Sequence, residues 1–320
     1  MKYNKIFIDA SNLYHRAYSV SGQMTTVLEN KMEIVTGGIY TSIKMIQKIE
    51  KNYLEDNGEI YIIFDNVHSG ENKRKLIDPE YKANRSQKDE TFYKSLDYFH
   101  LLLLNYKNNF IVVKRPGSEA DDLVSPLIEE FKNDKILLIS NDMDWFRAIN
   151  ENIHVAKYEN KEYKIYDIDS FKEKYNFFPS EKNIIIYKAF RGDSSDNIPK
   201  GVSGIRETLI INLLEDGYSS IKEILLNLDK INYIPDSWKQ KILENRARLL
   251  LNEKLVAYEK VPIEELKEYI FVCKFSPKVL KSIYKSLDFN ASSFDPRILQ
   301  FFPEKKKASS FFEFEVIPRE

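Results

Sequence analysis

Cysteine occurs once in the 320 residues, at Cys273, so no disulfide can close within the chain, and no Cys/His group has zinc-finger spacing. The four histidines, His15, His68, His100 and His154, are scattered, and none completes a Ser/His/Asp set. No apolar run approaches the roughly 18 residues that span a membrane. The first residues, Met1 to Lys5, lead straight into a short apolar stretch ending at Asp9, without the apolar segment and cleavage site of a signal peptide. A reducing cytoplasm is the expected location, with no membrane association. Excess charge of one sign is missing too. With 48 basic and 49 acidic residues the net charge is −1, which argues against coating nucleic acid by bulk charge and leaves room for a local basic surface. No internal repeat is apparent.

What is present is a globular composition, 43% hydrophobic and 30% charged. Four β-rich runs, Lys5 to Ile8, Ile60 to Phe64, Phe110 to Lys114 and Lys135 to Ile139, are each followed by polar residues and a helical pattern. That alternation predicts an α/β fold with a mainly parallel sheet flanked by helices. Near-continuous Ile, Val, Leu and Phe in the runs suits strands covered on both faces. Ile39, Ile43, Ile46 and Ile49 form one core-facing helical stripe, and Phe92, Leu96, Phe99 and Leu103 form another. From about residue 180 the pattern changes to helices broken by Gly and Pro. The predicted organisation is a catalytic α/β core over 1–180, a helical region over 181–288 and a weakly ordered tail over 289–320.

The acids fall where an open α/β sheet builds its sites, just beyond the carboxyl ends of strands. Asp9 ends the first run, Asp65 the second, and Glu119, Asp121 and Asp122 follow the third. Asp142 and Asp144 follow the fourth, and Asp193 and Asp196 stand in Gly192-Asp193-Ser194-Ser195-Asp196-Asn197. Any one of them reads equally as the cap of the next helix. Together they do not, because like charges ~4 Å apart repel by about 4 kcal/mol per pair at an effective dielectric near 20. Divalent metal is the expected compensation. Oxygen donors without His or Cys favour Mg²⁺, with Mn²⁺ as a substitute, and two such ions suit phosphodiester hydrolysis.

The ordered motifs Phe7-Ile8-Asp9, Phe64-Asp65, Pro79 to Arg85, Glu119-Ala120-Asp121-Asp122, Asn141-Asp142-Met143-Asp144 and Gly192 to Pro199 resemble the flap endonuclease and 5′-to-3′ exonuclease family. That family includes stand-alone phage enzymes of the phage ribonuclease H type and the 5′-nuclease domain of bacterial DNA polymerase I, and the likeness covers roughly the first two-thirds of the chain. It implies a PIN-like core with a C-terminal helix-hairpin-helix (H3TH) region and a 5′ nuclease acting on flaps, nicks and ends. RNA paired to DNA is a further substrate, replication and repair are the setting, and a phage is the preferred source. Asp9, Asp65, Glu119, Asp121 and Asp142 would surround the first metal. Asp144, Asp193 and Asp196 would serve the second, with Asp122 as a supporting neighbour.

Lys73, Arg74, Lys75, Lys82, Arg85 and Lys88 crowd between Asn72 and Lys88 with Tyr81 among them. By resemblance this is a basic arch, at about 69–92, that handles a single-stranded 5′ end and stays mobile until DNA orders it. Lys82 and Arg85 would hold the scissile phosphate while Tyr81 stacks on the terminal base. Lys188 resembles another family lysine facing that phosphate, and from pattern alone reads equally as an exposed helix lysine. Gly201-Val202-Ser203-Gly204 resembles the hairpin turn that meets duplex phosphates around a monovalent ion, here K⁺. It departs from the family in an extra Lys200, Arg206 in place of a glycine and Thr208 in place of a lysine. Ser309 to Phe314 reads as a docking segment for a sliding clamp or single-strand-binding protein, or as a terminal strand. A monomer is expected. The alternatives are a PIN-type ribonuclease and a catalytically silent branched-DNA-binding module.

Overall fold

The computed structural model describes residues 1–29, 31–66, 72–86 and 88–290. Its centre is a seven-stranded sheet in the order β8-β7-β6-β1-β4-β5-β9. These strands are β1 (Tyr3–Asp9), β4 (Leu54–Ile63), β5 (Phe110–Val113), β6 (Ile136–Ile139), β7 (Ile153–Glu159), β8 (Glu162–Tyr166) and β9 (Ile270–Val272). The five inner strands are parallel, and β8 and β9 close the two edges antiparallel. A small antiparallel pair, β2 (Thr25–Val27) and β3 (Glu33–Val35), stands apart from it.

The apolar runs bury both faces of the sheet, as their composition requires. Phe7, Tyr61, Ile63, Ile111, Val113 and Leu138 point to one core, and Ile6, Ile8, Ile60, Ile62, Val112 and Leu137 to the other. The second core is covered by α1 (Ala10–Ser21), α2 (Thr36–Tyr53) and α4 (Glu90–Leu104), with the two small strands lying between α1 and α2 and the short α3 (Lys73–Ile77) preceding α4. Ile39, Ile43, Ile46 and Ile49 are fully buried on α2, and Phe92, Phe99 and Leu103 on α4, so both stripes face the core.

The first core is covered by α5 (Ala120–Glu130), α6 (Ile168–Tyr175), α7 (Glu181–Arg191), α8 (Glu207–Glu215), α9 (Ile221–Asn227), α10 (Asp236–Glu244), α11 (Arg246–Val256) and α12 (Ile263–Leu266). The residues after 180 are therefore not confined to a separate lobe. Ile270–Val272 supplies the β9 edge, and α13 (Pro277–Ser286) returns to the far side, where Leu280, Ile283 and Tyr284 join the second core. Among the described residues no helix is long and apolar enough to cross a membrane. The expected tail lies, from residue 291 on, outside the described residues, as does its docking segment.

Candidate active site

Two of the strand ends deliver their acids through the capping chemistry of the next element, and a third ties its acid to a helix start. Asp9 is the N-cap of α1, one oxygen accepting from Asn12 N at 2.9 Å and the other from the Ser140 hydroxyl at 2.8 Å. Asp65 accepts from Ala120 N at 2.7 Å and so ties the end of β4 to the start of α5. Asp142 caps the 3₁₀ turn Met143–Ala148 by accepting from Asp144 N at 3.0 Å. Capping and assembly of the site are here the same interactions. Asp193 and Asp196 come from a loop that Gly192 closes at φ +72°, where a Cβ would stand 2.6 Å from the Ile198 carbonyl. Only glycine fits that turn.

Asp144, Asp193 and Asp196 each offer an oxygen within 4.8 Å of the others, a grouping that could hold a metal ion. Lys188 stands among them, 2.7 Å from both Asp144 and Asp193, and is buried, so the exposed-lysine alternative is wrong. Arg147 pairs with the same Asp144 oxygen. Burial alone would raise Asp144, but Arg147 and Lys188 outweigh it and hold the carboxyl well below its usual range. Burial likewise opposes Asp193, which Lys188 nonetheless draws down. Asp196 goes the other way. Burial, reinforced by Asp142 and Asp193, pushes it up to about 6 against the pull of Lys82 and Arg85.

The remaining acids form two neighbouring groups. Asp9 is pushed up to about 7, first by burial and then by the charge of Asp65, while Asp142 is raised by burial and Asp144. Glu119, Asp121 and Asp122 gather about Arg74, which lies 3.1 Å from Glu119, 3.7 Å from Asp121, and makes two hydrogen bonds to Asp122 at 2.9 and 2.7 Å. Asp121 is raised well above its usual range by burial and Asp122, and Glu119 is lowered despite burial by Lys82 and Arg74.

This corrects the charge balance expected from sequence. Arg74, Lys82, Arg147 and Lys188 supply cations to the carboxylates from within the fold, so metal is not the sole compensation. Arg74, expected to meet DNA, is buried and fully engaged with acids and with the carbonyls of Leu255 and Ala257. Tyr81, expected to stack on a base, is 2% exposed, and its hydroxyl donates toward Glu119 and Asp196, both at 3.0 Å. In this conformation the ring offers no face to DNA. Residues 80–85 of the arch are seated on the 193–197 loop. Lys82 N donates to Asp196 O at 2.8 Å, Asn84 to Ser194 O at 2.8 Å, and Arg85 to the Asp196 carboxylate at 2.7 Å. Lys82 Nζ reaches Glu119 at 2.6 Å. The stretches 67–71 and 87 of the arch lie outside the described residues.

Lys75, Lys88 and Arg206 are exposed, and Lys73 pairs with Glu259 at the surface. In the hairpin the two glycines differ. Gly204 is exposed with φ +78°, whereas Gly201 is buried where a Cβ would stand 2.2 Å from the Ala189 carbonyl, so it is glycine for internal contact. Sequence reasoning missed Arg147, Ser140, Asn72 and Tyr258. Asn72 donates to Glu119 at 3.0 Å, and the Tyr258 hydroxyl to Asp144 O at 2.9 Å. Asn72, as an N-cap before Lys73, and Arg147, three residues after Asp144, carried local signals.

Residues 4–176 match the family model described as "5'-3' exonuclease, N-terminal resolvase-like domain". A 5′-3′ exonuclease of Buchnera aphidicola subsp. Schizaphis graminum is 32% identical over 299 residues, covering 89% of this chain and 96% of that one. DNA polymerase I of Caldicellulosiruptor bescii is 32% identical over 256 residues, covering 78% of this chain and 28% of the polymerase. The chain thus spans little more than a quarter of that relative. The bacteriophage T5 flap endonuclease, solved in a pseudo-enzyme-product complex with DNA and metal ions, superposes with a TM-score of 0.61 at 19% identity over 94% of this chain and 100% of that one. At that identity the likeness speaks for the fold.

Proposed function

The chain belongs to the 5′-3′ exonuclease family, and from that membership we propose that it is a structure-specific 5′ nuclease, a metal-dependent hydrolase cutting DNA phosphodiester bonds at 5′ flaps, nicks and ends. The observation that carries this is the gathering of carboxylates from strand ends and the 193–197 loop, with Asp144, Asp193 and Asp196 close enough to share an ion. An all-oxygen donor set fits Mg²⁺, with Mn²⁺ able to substitute. Asp9, Asp65, Glu119, Asp121 and Asp142 would hold one ion and Asp144, Asp193 and Asp196 the other. Bound there, the ions would supply an activated water and charge neutralisation for an in-line displacement at phosphorus.

The chain's own cations bind and orient the substrate. Lys82 and Arg85, held in this state by Glu119 and Asp196, exchange those carboxylates for the scissile phosphate. Lys188 holds Asp144 and Asp193 together beside it. Exposed Lys75 and Lys88 track the 5′ strand, and the turn at Gly204 with Arg206 at the start of α8 meets the duplex, with K⁺ as the ion of that turn. RNA primers paired to DNA are a further substrate.

The test is cleavage of labelled 5′-flap, nicked, blunt and RNA-primed duplexes with Mg²⁺ or Mn²⁺, with Asp65→Ala and Asp144→Ala in parallel. Wild type is expected to cut the flap and nick, and each variant to lose on the order of 100-fold in rate. Four intact substrates with wild type would reject the activity. Undiminished cutting by both variants would reject the site.

A further inference from the structure

Five consecutive residues at the end of α11 each make a hydrogen bond either to an arginine that holds the acids or to an acidic residue itself. Leu255 O and Ala257 O accept from Arg74 at 3.0 and 3.1 Å, and Glu259 N donates to Asp122 Oδ1 at 2.7 Å. Between them, Val256 O accepts from Arg147 at 3.0 Å, and the Tyr258 hydroxyl donates to the Asp144 carbonyl at 2.9 Å. Arg147 Nε donates to that same carbonyl at 2.9 Å, and its guanidinium lies 3.8 Å over the Tyr258 ring. Two donors thus meet on one backbone oxygen of the residue whose carboxylate faces Asp193 and Asp196.

The other end of this arrangement is the hairpin. Buried Asn252 on α11 donates to Ala189 O at 3.0 Å and Pro199 O at 2.7 Å, and Leu249 lies against Gly201. A short 3₁₀ turn such as Met143–Ala148 has few bonds of its own, so outside partners decide where its side chains point.

We propose that Leu255–Glu259 is a strap that sets the geometry of the acidic site from the hairpin side, with Tyr258 and Arg147 as positioning residues that aim Asp144 at Asp193 and Asp196. Neither residue touches the reacting atoms. The inference rests on the nuclease reading for what Asp144 does, but its consequence for ion binding stands apart from turnover.

The experiment compares full-length wild type with Tyr258→Phe, which deletes the hydroxyl and keeps the ring, and Arg147→Lys, which keeps charge and loses the paired donors. Tyr233→Phe, at a surface tyrosine bonded to Asp216, serves as the control. Calorimetric titration with Mn²⁺ alone is the first readout. Flap binding in Ca²⁺, kcat and KM in Mn²⁺, and thermal unfolding complete the set. Tyr258→Phe and Arg147→Lys are expected to weaken Mn²⁺ binding about tenfold and lower kcat about tenfold, as loss of a group that orients a ligand does, with flap affinity and KM within about twofold. Tyr233→Phe should match wild type throughout. Mn²⁺ affinity and kcat within about twofold of wild type in both variants overturn the proposal, and so does a Tyr258→Phe chain that fails to fold, which would make the hydroxyl bond a requirement of folding rather than of aiming Asp144. If wild type binds Mn²⁺ yet cuts no substrate, the nuclease reading falls while the Mn²⁺ shift still decides the strap.

Discussion

Asp9 has both oxygens hydrogen-bonded and still titrates at about 7, because burial and the neighbouring Asp65 outweigh the Asn12 and Ser140 donors. In ion-free protein the folded state therefore keeps a proton that the unfolded chain, at the ordinary carboxylate value, releases near 4. A raised carboxyl contributes stability at low pH that is lost as pH rises through the folded value. Buried His100, pushed down to about 4, works in the opposite sense up to its ordinary 6.5, so the useful comparison is with Asp9→Asn. Without divalent ion, Asp9→Asn is expected to gain stability over wild type as pH rises from about 4 to about 7, by an amount on the order of a few kcal/mol. Urea midpoints in chelator check this, and a constant difference across that range would show Asp9 to be unperturbed. At this scale most of the acids were legible because they follow strand ends, two of them, Asp9 and Asp142, capping the next element. Arg74 was not, since its partner Asp122 lies 48 residues away and no local spacing records such a pair; Arg147 stands three residues after Asp144, and only its bond to Val256, 109 residues away, is beyond local reading.

The hairpin shows how one motif contains two kinds of glycine. A methyl at Gly201 would be driven into the Ala189 carbonyl and Leu249, so backbone must shift; at Gly204 nothing comes nearer than Trp238 at 3.8 Å, and only the left-handed φ resists. Gly201→Ala is expected to cost about 2–4 kcal/mol and Gly204→Ala about 1 kcal/mol. Denaturant midpoints measure both, and equal losses would refute the distinction. Among elements, four of the five parallel strands announced themselves as apolar runs, and β7 did not. The β7–β8 hairpin left a readable sign that went unused: Asn160 and Lys161, both at positive φ between alternating runs, make a two-residue turn. Strand β9 left none, being three residues whose only definition is the edge of β5.

For the whole molecule, a boundary near residue 180 follows the change in sequence texture but not the course of the cores. Ile184, Ile186 and Phe190 belong to one core, and Cys273, Leu280, Ile283 and Tyr284 to the other. Each large buried side chain contributes ~1.5–3 kcal/mol, so residues 1–180 alone lack more than a marginal domain can spare. That fragment is expected to show no cooperative thermal transition where residues 1–290 show one, by circular dichroism; a sharp melt in the fragment would prove the sheet half self-sufficient. Fold class was legible because periodicity is local, whereas the return of the chain to both edges and both cores is not. The strap gives that return a meaning in time. A ribosome releases every carboxylate of the site by residue 196, but the carbonyls that anchor Arg74 and Arg147 emerge only at 255–257 and the closing edge at 270–272. A nascent chain therefore carries all its acids before it carries the carbonyls that anchor their arginines, and the acidic site can be set only once residue 257 has emerged.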